Sequence, residues 1–448
     1  MPSGTRLPST RSLAATLEVS RPLVVEAYAQ LAAEGYLRLR QGARPVVCGF
    51  SSIVPTLSIS VASAAPLVRF DLRPAIPDLN LFPRRDWLRA LRGALAELTA
   101  DDLGYSERHG MDRLRRVIAE YLARVRGVRA NAEHIVITNG FAEARALFCH
   151  AIVEHGIDRI GVEDPSYSDW ETVDAAGLGR IPIPVDAQGI DAACLERSNT
   201  RAVLLTPAHQ FPLGAVLAAD RRARIIRWLE ACAGFALEDD YDAEFRYDHR
   251  PIGAMQGLAP GFVAYAGTVS KTLAPGLRLG WLVSPPTLLK TVQERQRNWN
   301  EGISRIDQTA LAILIETGAY DRHLRRMRRI YRQRRDMMIA LLERHAPTLT
   351  VEGVAAGLHL TVRLPEGFDE ASVCSALRDL GIAVEGLGRY SMRSFGSPVL
   401  LLGYGRASEN AIRVGIQALA RIVTTARCSR GSRASTLLNS SLAPFCGN

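Results

Sequence analysis

Lysine is nearly absent. In 448 residues it occurs only at Lys271 and Lys290, although lysine and arginine together number 55. Any reaction that needs a lysine amine therefore has two candidates. Much of the arginine bias reads as genomic composition. The seven cysteines include no CxxC pair and their number is odd. That pattern argues for a reducing, cytoplasmic interior, with neither a disulfide framework nor a zinc cluster. No histidine stands at metal-ligand spacing, so no metal is expected. No uninterrupted apolar run approaches bilayer length. The opening MPSGTRLPSTRS has no apolar stretch behind its charges, so a secretory signal is not expected. Internal repeats are also lacking.

The remainder is ordinary globular material, 47 % hydrophobic and 23 % charged. That excludes extensive disorder and collagen-like structure. At roughly 150 residues per unit the length suggests about three structural units. The net charge of +9 makes an anionic partner plausible.

Residues 1–48 read as a small helical unit ending in a hairpin. Ser9 caps a first helix carrying Leu13 and Leu17. Ser20 caps a second, in which Val24, Ala27, Tyr28 and Leu31 share one face. Pro22 is tolerated in its first turn and Gly35 ends it. Residues 37–40 and 46–47 read as paired strands around Gly42. Residues 49–69 are rich in Ser, Ala and Pro and read as a linker. From 70 to 422, short apolar runs alternate with helical patterns, which argues for an α/β unit with a mostly parallel sheet. Residues 423–448 read as a loose tail.

Two segments carry chemistry. In GTVSKTLAPGLRLGW, residues 267–281, Lys271 stands just past a strand among small hydroxyl residues, with Arg278 following. A reactive lysine and a phosphate cradle need those groups together. The competing reading is a surface lysine in a loop. In ALEDDYDAEFRYD, residues 236–248, three acids follow an apolar run and so fall at a strand's carboxyl end. An acid there suits a protonated ring nitrogen, with Tyr241 donating to a phenolate oxygen. The competing readings are a metal site or a solvated loop.

With TNGFAEA (138–144), EDPSYSDW (163–170), TPAHQFPLG (206–214) and LGYSERHGMDRLRRVIAEYL (103–122), these segments resemble fold-type I aminotransferases. The wording of HQFPLG, EDDYDAEFRY and GTVSKTLAPGLRLG is closest to the MocR (GabR-like) regulators. There a GntR-type winged helix-turn-helix precedes an aminotransferase-like domain with large and small parts. RLPSTRSLAATLEVSRPLVVEAYAQLAAEGYL resembles that winged helix.

The resemblance implies pyridoxal phosphate as cofactor, Lys271 as its covalent anchor and Asp239 at the pyridine nitrogen, with Asp240 the neighbouring alternative. Tyr241 falls near the ring oxygen and Tyr167 on the ring face. Thr268, Ser270, Arg278 and the backbone at Gly140, Phe141 and Ala142 fall at the phosphate. Tyr105 would reach the phosphate of a partner subunit, which implies a homodimer with shared sites. Phe211 precedes Pro212 where common aminotransferases have asparagine, and His209 or Gln210 takes over polar contacts. The strand VLLLGYG, 399–405, lacks the arginine that grips a substrate carboxylate; Arg389 and Arg406 are nearby.

The winged helix implies duplex DNA as partner, met by Arg11, Ser20, Arg21, Arg38, Arg40 and Arg44. The family has another helix before the GTRLPS segment; the chain begins just short of that segment, so the resemblance implies that this first helix is missing, and the wing reads GARP. The basic run 322–335 reads as a long helix with an apolar stripe at Leu324, Met327, Ile330 and Tyr331. The reading is a cytoplasmic, PLP-binding regulator that senses a small amine, amino acid or vitamer. The alternative is a working aminotransferase.

Overall fold

The computed structural model describes residues 2–48, 68–104, 109–167, 169–247, 252–299, 302–393 and 398–439. The chain divides into two units, Met1–Ala65 and Pro66–Asn448. Most of the expected linker, and Tyr105, lie outside the described residues.

In the first unit, helices Thr10–Leu17 and Arg21–Ala33 are separated at Glu18, which takes a left-handed conformation. The Ser9 hydroxyl accepts from the Ser12 amide, the expected cap. Ser20 stands at the second cap position but makes no side-chain cap bond. Pro22 already removes one of the donors a cap would satisfy. Strands Leu37–Arg38 and Val46–Val47 pair antiparallel, and Arg6 bridges to Val46 on the other side. The core is Ala14, Val24, Tyr28 and Leu37. Ala27 and Leu31, expected on the same buried face, are exposed. So small a unit has room beneath the helix for one narrow stripe.

The second unit is built on an eight-stranded sheet. From edge to edge it runs Ile135–Thr138, Gly280–Val283, Val263–Thr268, Phe235–Asp240, Ala202–Leu205, Arg159–Asp164, Gly179–Asp186 and Gly189–Ile190. Gly280–Val283 runs against both neighbours, and Gly189–Ile190 runs against Gly179–Asp186; the other pairings are parallel. The central strands Val263–Thr268, Phe235–Asp240 and Ala202–Leu205 are buried on both faces, which explains their continuous apolar runs. Their carboxyl ends therefore share one rim, where ligands of such sheets bind.

A smaller sheet joins Thr350–Glu352, His359–Arg363, Val399–Gly403 and Glu385–Gly386. Phe70–Asp71 pairs parallel with Ile382–Ala383 beside it. Helix Ala319–His345 buries Leu324, Met327 and Tyr331, with Ile330 half-buried, so the stripe read from sequence is real. The last helix runs Glu409–Asn439, past residue 423 where a loose tail is expected. That segment has no proline, and alanine, arginine and leucine carry little helical penalty. Among the described residues no helix is long and apolar enough to cross a membrane.

Candidate functional site

Five chain segments meet on the rim. Thr138 leads into Asn139 and Gly140, the latter at φ +83, which turns the chain into helix Phe141–Glu154. That helix opens with free amides at Phe141 and Ala142, a natural anion cradle. Arg278 sits against it, donating to the Asn139 carbonyl at 2.6 Å. A Cβ added at Gly140 would meet that guanidinium at 3.7 Å. The Thr268 hydroxyl lies 2.8 Å from the Ser270 hydroxyl. Helix end, guanidinium and hydroxyls thus form a cup before any ligand enters.

Lys271 follows on the same turn. Its Nζ donates to the Ala75 carbonyl at 2.7 Å. Ala75 holds φ +56, a left-handed conformation that alanine seldom adopts. Burial lowers the Lys271 pKa, while Asp242 and Asp239 pull it back up. Lys290 is 87 % exposed and faces Glu294. The two lysines are thus sharply different.

Asp239 and Asp240 are both buried, but successive strand residues face opposite ways. Asp240 accepts from Arg126 Nε and from the Tyr265 hydroxyl, each at 2.6 Å. Asp239 instead accepts from the Tyr167 hydroxyl, and its Oδ1 is buried without a partner among the described residues. Burial pushes the Asp239 carboxyl up to about 8, and the charge of Asp240 adds to it. Asp240 Oδ1 is likewise buried without a partner among the described residues, so the two acids differ in their Oδ2 partners: Arg126 and Tyr265 for Asp240, Tyr167 for Asp239.

Tyr167 stacks on Phe211, with ring centroids 5.5 Å apart and planes at 12°. The Tyr241 hydroxyl meets His209 Nδ1 at 3.0 Å, and Asp242 holds the same nitrogen at 3.0 Å. Gln210, expected to contact the cofactor, has its amide nitrogen on the carbonyls of Pro165 (2.9 Å) and Phe211 (2.6 Å). Its oxygen accepts from the Leu213 amide at 3.0 Å. It braces the loop.

Asp242 and His359 were not singled out in the sequence. Asp242 stands within the acidic run, but its burial against His209 depends on the fold. His359 is a lone histidine in an apolar strand, and nothing local marks it. Its Nε2 donates to the Pro212 carbonyl at 3.0 Å. Burial, with His209 close by, pushes its pKa down to about 4. Below pH 6.5 the unfolded chain binds this proton and the folded one does not, so stability falls from pH 6.5 toward 4. The full window amounts to about 3 kcal/mol. The acid limb of a denaturation-versus-pH curve should flatten by that order in His359→Gln; an unchanged limb would count against it.

In the first unit, Arg11, Ser20, Arg21, Arg38, Arg40 and Arg44 are all exposed. Arg21 opens the second helix, and Arg38 and Arg44 flank the hairpin turn.

Residues 76–397 match the family Aminotransferase class I and II, and residues 1–47 match bacterial regulatory proteins of the gntR family. The chain is 34 % identical over 437 residues to a probable rhizopine catabolism regulatory protein, MocR, of Rhizobium meliloti, covering 93 % of this chain and 88 % of that one. It is 31 % identical to the HTH-type pyridoxine biosynthesis transcriptional regulator PdxR of Corynebacterium glutamicum, covering 92 % and 89 %. Among solved structures, a multiple substrate aminotransferase of Thermococcus profundus aligns with a TM-score of 0.73 at 23 % identity, covering 84 % of this chain and 96 % of that one. This last likeness concerns the fold.

Proposed function

We propose a function from this premise: the chain belongs to the MocR-type subfamily of gntR-family regulators, a winged helix-turn-helix fused to an aminotransferase-like domain. It is a transcriptional regulator that binds DNA, and its cofactor is pyridoxal phosphate. The buried, unpartnered Asp239 Oδ1 fits a ring N–H, and the cup at Gly140 and Arg278 fits a phosphate. When bound, the cofactor supplies an aldehyde carbon that a primary amine attacks.

Each residue then has a task. Arg278, Thr268, Ser270 and the amides of Phe141 and Ala142 hold the phosphate. Asp239 brings a proton and shares it with the ring nitrogen. Tyr241, set by His209, faces the ring oxygen, and Tyr167 covers a ring face. Lys271 would be the covalent anchor, and the Ala75 carbonyl would accept from its Nζ whenever the amine is free. The protein works in the cytoplasm as a homodimer, with Tyr105 serving the partner's site. Its domains are residues 1–48 for DNA and 70–422 for the cofactor.

The domain senses an amine, amino acid or vitamer rather than turning it over. One observation carries this. The two arginines near the expected carboxylate end are already engaged: Arg389 with Glu385 at 3.3 Å, and Arg406 with Asp71 at 3.0 Å. A substrate without its bidentate clamp is poorly positioned, which costs about a hundredfold in rate. Capture of an amine needs only reach. A ligand that favours one conformational state then shifts DNA binding.

The test follows cofactor absorbance, keto-acid release and promoter binding together over a panel of amines and amino acids. Expected are spectral change and altered DNA affinity with slow keto-acid release. Rapid turnover of a common amino acid without any effect on DNA would overturn the reading in favour of an aminotransferase. Separately, Arg21→Ala should weaken binding to the regulator's own promoter and reduce the salt slope by about one. A slope unchanged from the parent's would remove Arg21 from the phosphate contacts.

A further inference from the structure

The basic helix Ala319–His345 carries more than solvated charge. Its arginines form one wall of a cavity of about 500 Å³. The other walls come from the end of helix Asp112–Arg126 and from residues 243–247, which follow strand Phe235–Asp240. Six guanidinium groups border it: Arg126, Arg246, Arg325, Arg328, Arg329 and Arg332. Among the described lining residues one carboxyl, Glu244, stands with them, and burial raises its pKa.

Several of these groups are held in place. Arg328 Nε donates to the Glu244 carbonyl, Arg332 to the Tyr247 carbonyl at 2.8 Å, and Arg246 to the Ala208 carbonyl at 3.1 Å. The carbonyl bond of Arg328 orients its guanidinium without cancelling its charge. Arg126 is 5 % exposed. Its Nε pairs with Asp240 and its Nη1 donates to the Ile252 carbonyl at 2.6 Å. Its Nη2 is buried, with no hydrogen-bond partner among the described residues.

Like charges gathered around one void repel each other, and an anion relieves that repulsion. The rest of the lining is apolar or aromatic: Val125, Ala243 and the rings of Tyr121 and Tyr247. A concave space of this size suits a small ligand with an organic frame. A duplex backbone would be met better by an open ridge.

We propose that this cavity binds a small organic anion of two or more negative charges. Its phosphate or carboxylate heads lie against the arginines, and its carbon frame lies against Tyr121 and Tyr247. The site is separate from the cup at Gly140 and does not depend on DNA recognition.

The test uses the full chain carrying its cofactor, titrated by calorimetry at fixed ionic strength with inorganic pyrophosphate and, separately, with citrate. Expected is one saturable site per chain for at least one probe. That affinity should fall about tenfold or more in Arg325→Ser/Arg329→Ser and hold in Arg92→Ser. Arg325, Arg329 and Arg92 are exposed, and unchanged cofactor absorbance verifies the fold of each variant. Pyrophosphate binding would support phosphate heads, and citrate binding carboxylate heads. Absence of saturable binding by both probes, or an equal loss in Arg92→Ser, would overturn the proposal. So would displacement of the probe by a short duplex whose own affinity falls in the double variant; the arginines would then serve DNA.

Discussion

Lys271→Ala protein is expected to emerge from gel filtration without the visible band of a lysine-bound cofactor. Borohydride should fix nothing to it. The alternative amine, Lys290, stands 87 % exposed beside Glu294, on a helix surface away from Asp239 and the cup at Gly140. A lysine in open solvent has no neighbouring groups to hold the cofactor against its amine. Lys271 lies on the rim, lowered by burial and held at the Ala75 carbonyl. Arg278 and Asp239 remain in the variant, so the cofactor should still bind weakly and wash out. Peptide mapping after reduction decides the matter. A label on Lys290 in the parent protein would sink the assignment.

Tyr28→Ala should abolish DNA binding while leaving the cofactor's absorbance untouched. The first unit has one small cluster, Ala14, Val24, Tyr28 and Leu37, with Leu7, Leu13, Ala32 and Val47 packed against it. Tyr28 is its largest member, and its hydroxyl donates to the Pro8 carbonyl at 3.1 Å. Removing a buried aromatic ring costs about 3 kcal/mol or more. A unit of this size holds only about 3–5 kcal/mol in total. The cofactor rests on other clusters, all within the second unit. The check is a promoter shift alongside an absorbance spectrum of the same sample. An undiminished shift would mean that Tyr28 is not the keystone of that core.

Much of this site was legible because its chemistry is local. Lys271 stands out through rarity and through its neighbours Ser270, Thr268 and Arg278, all within a dozen residues. Asp239 was legible as one of two adjacent acids. What separates it from Asp240 is Arg126, more than a hundred residues earlier and joined to it only by folding. The part played by Gln210 was hidden for the same reason: its partner Pro165 lies on another loop. His359 and Asp242 acquire meaning only when buried. In the first unit the Ser9 cap and the hairpin could be read off, whereas Ser20 makes no cap bond and the stripe narrowed to Val24 and Tyr28 because so small a unit has little interior. The final helix was missed because polar composition suggests looseness even where no residue breaks a helix.

Strand Phe235–Asp240 ends in two acids with opposite allegiances. Asp240 is tied to Arg126 and Tyr265, while Asp239 faces the rim. Their separation rests on alternation alone, so it is a matter of parity. An insertion or deletion of one residue within the strand would exchange their positions, leaving Arg126 without its proper counter-charge and setting the wrong acid on the rim. The length of this strand cannot drift by one.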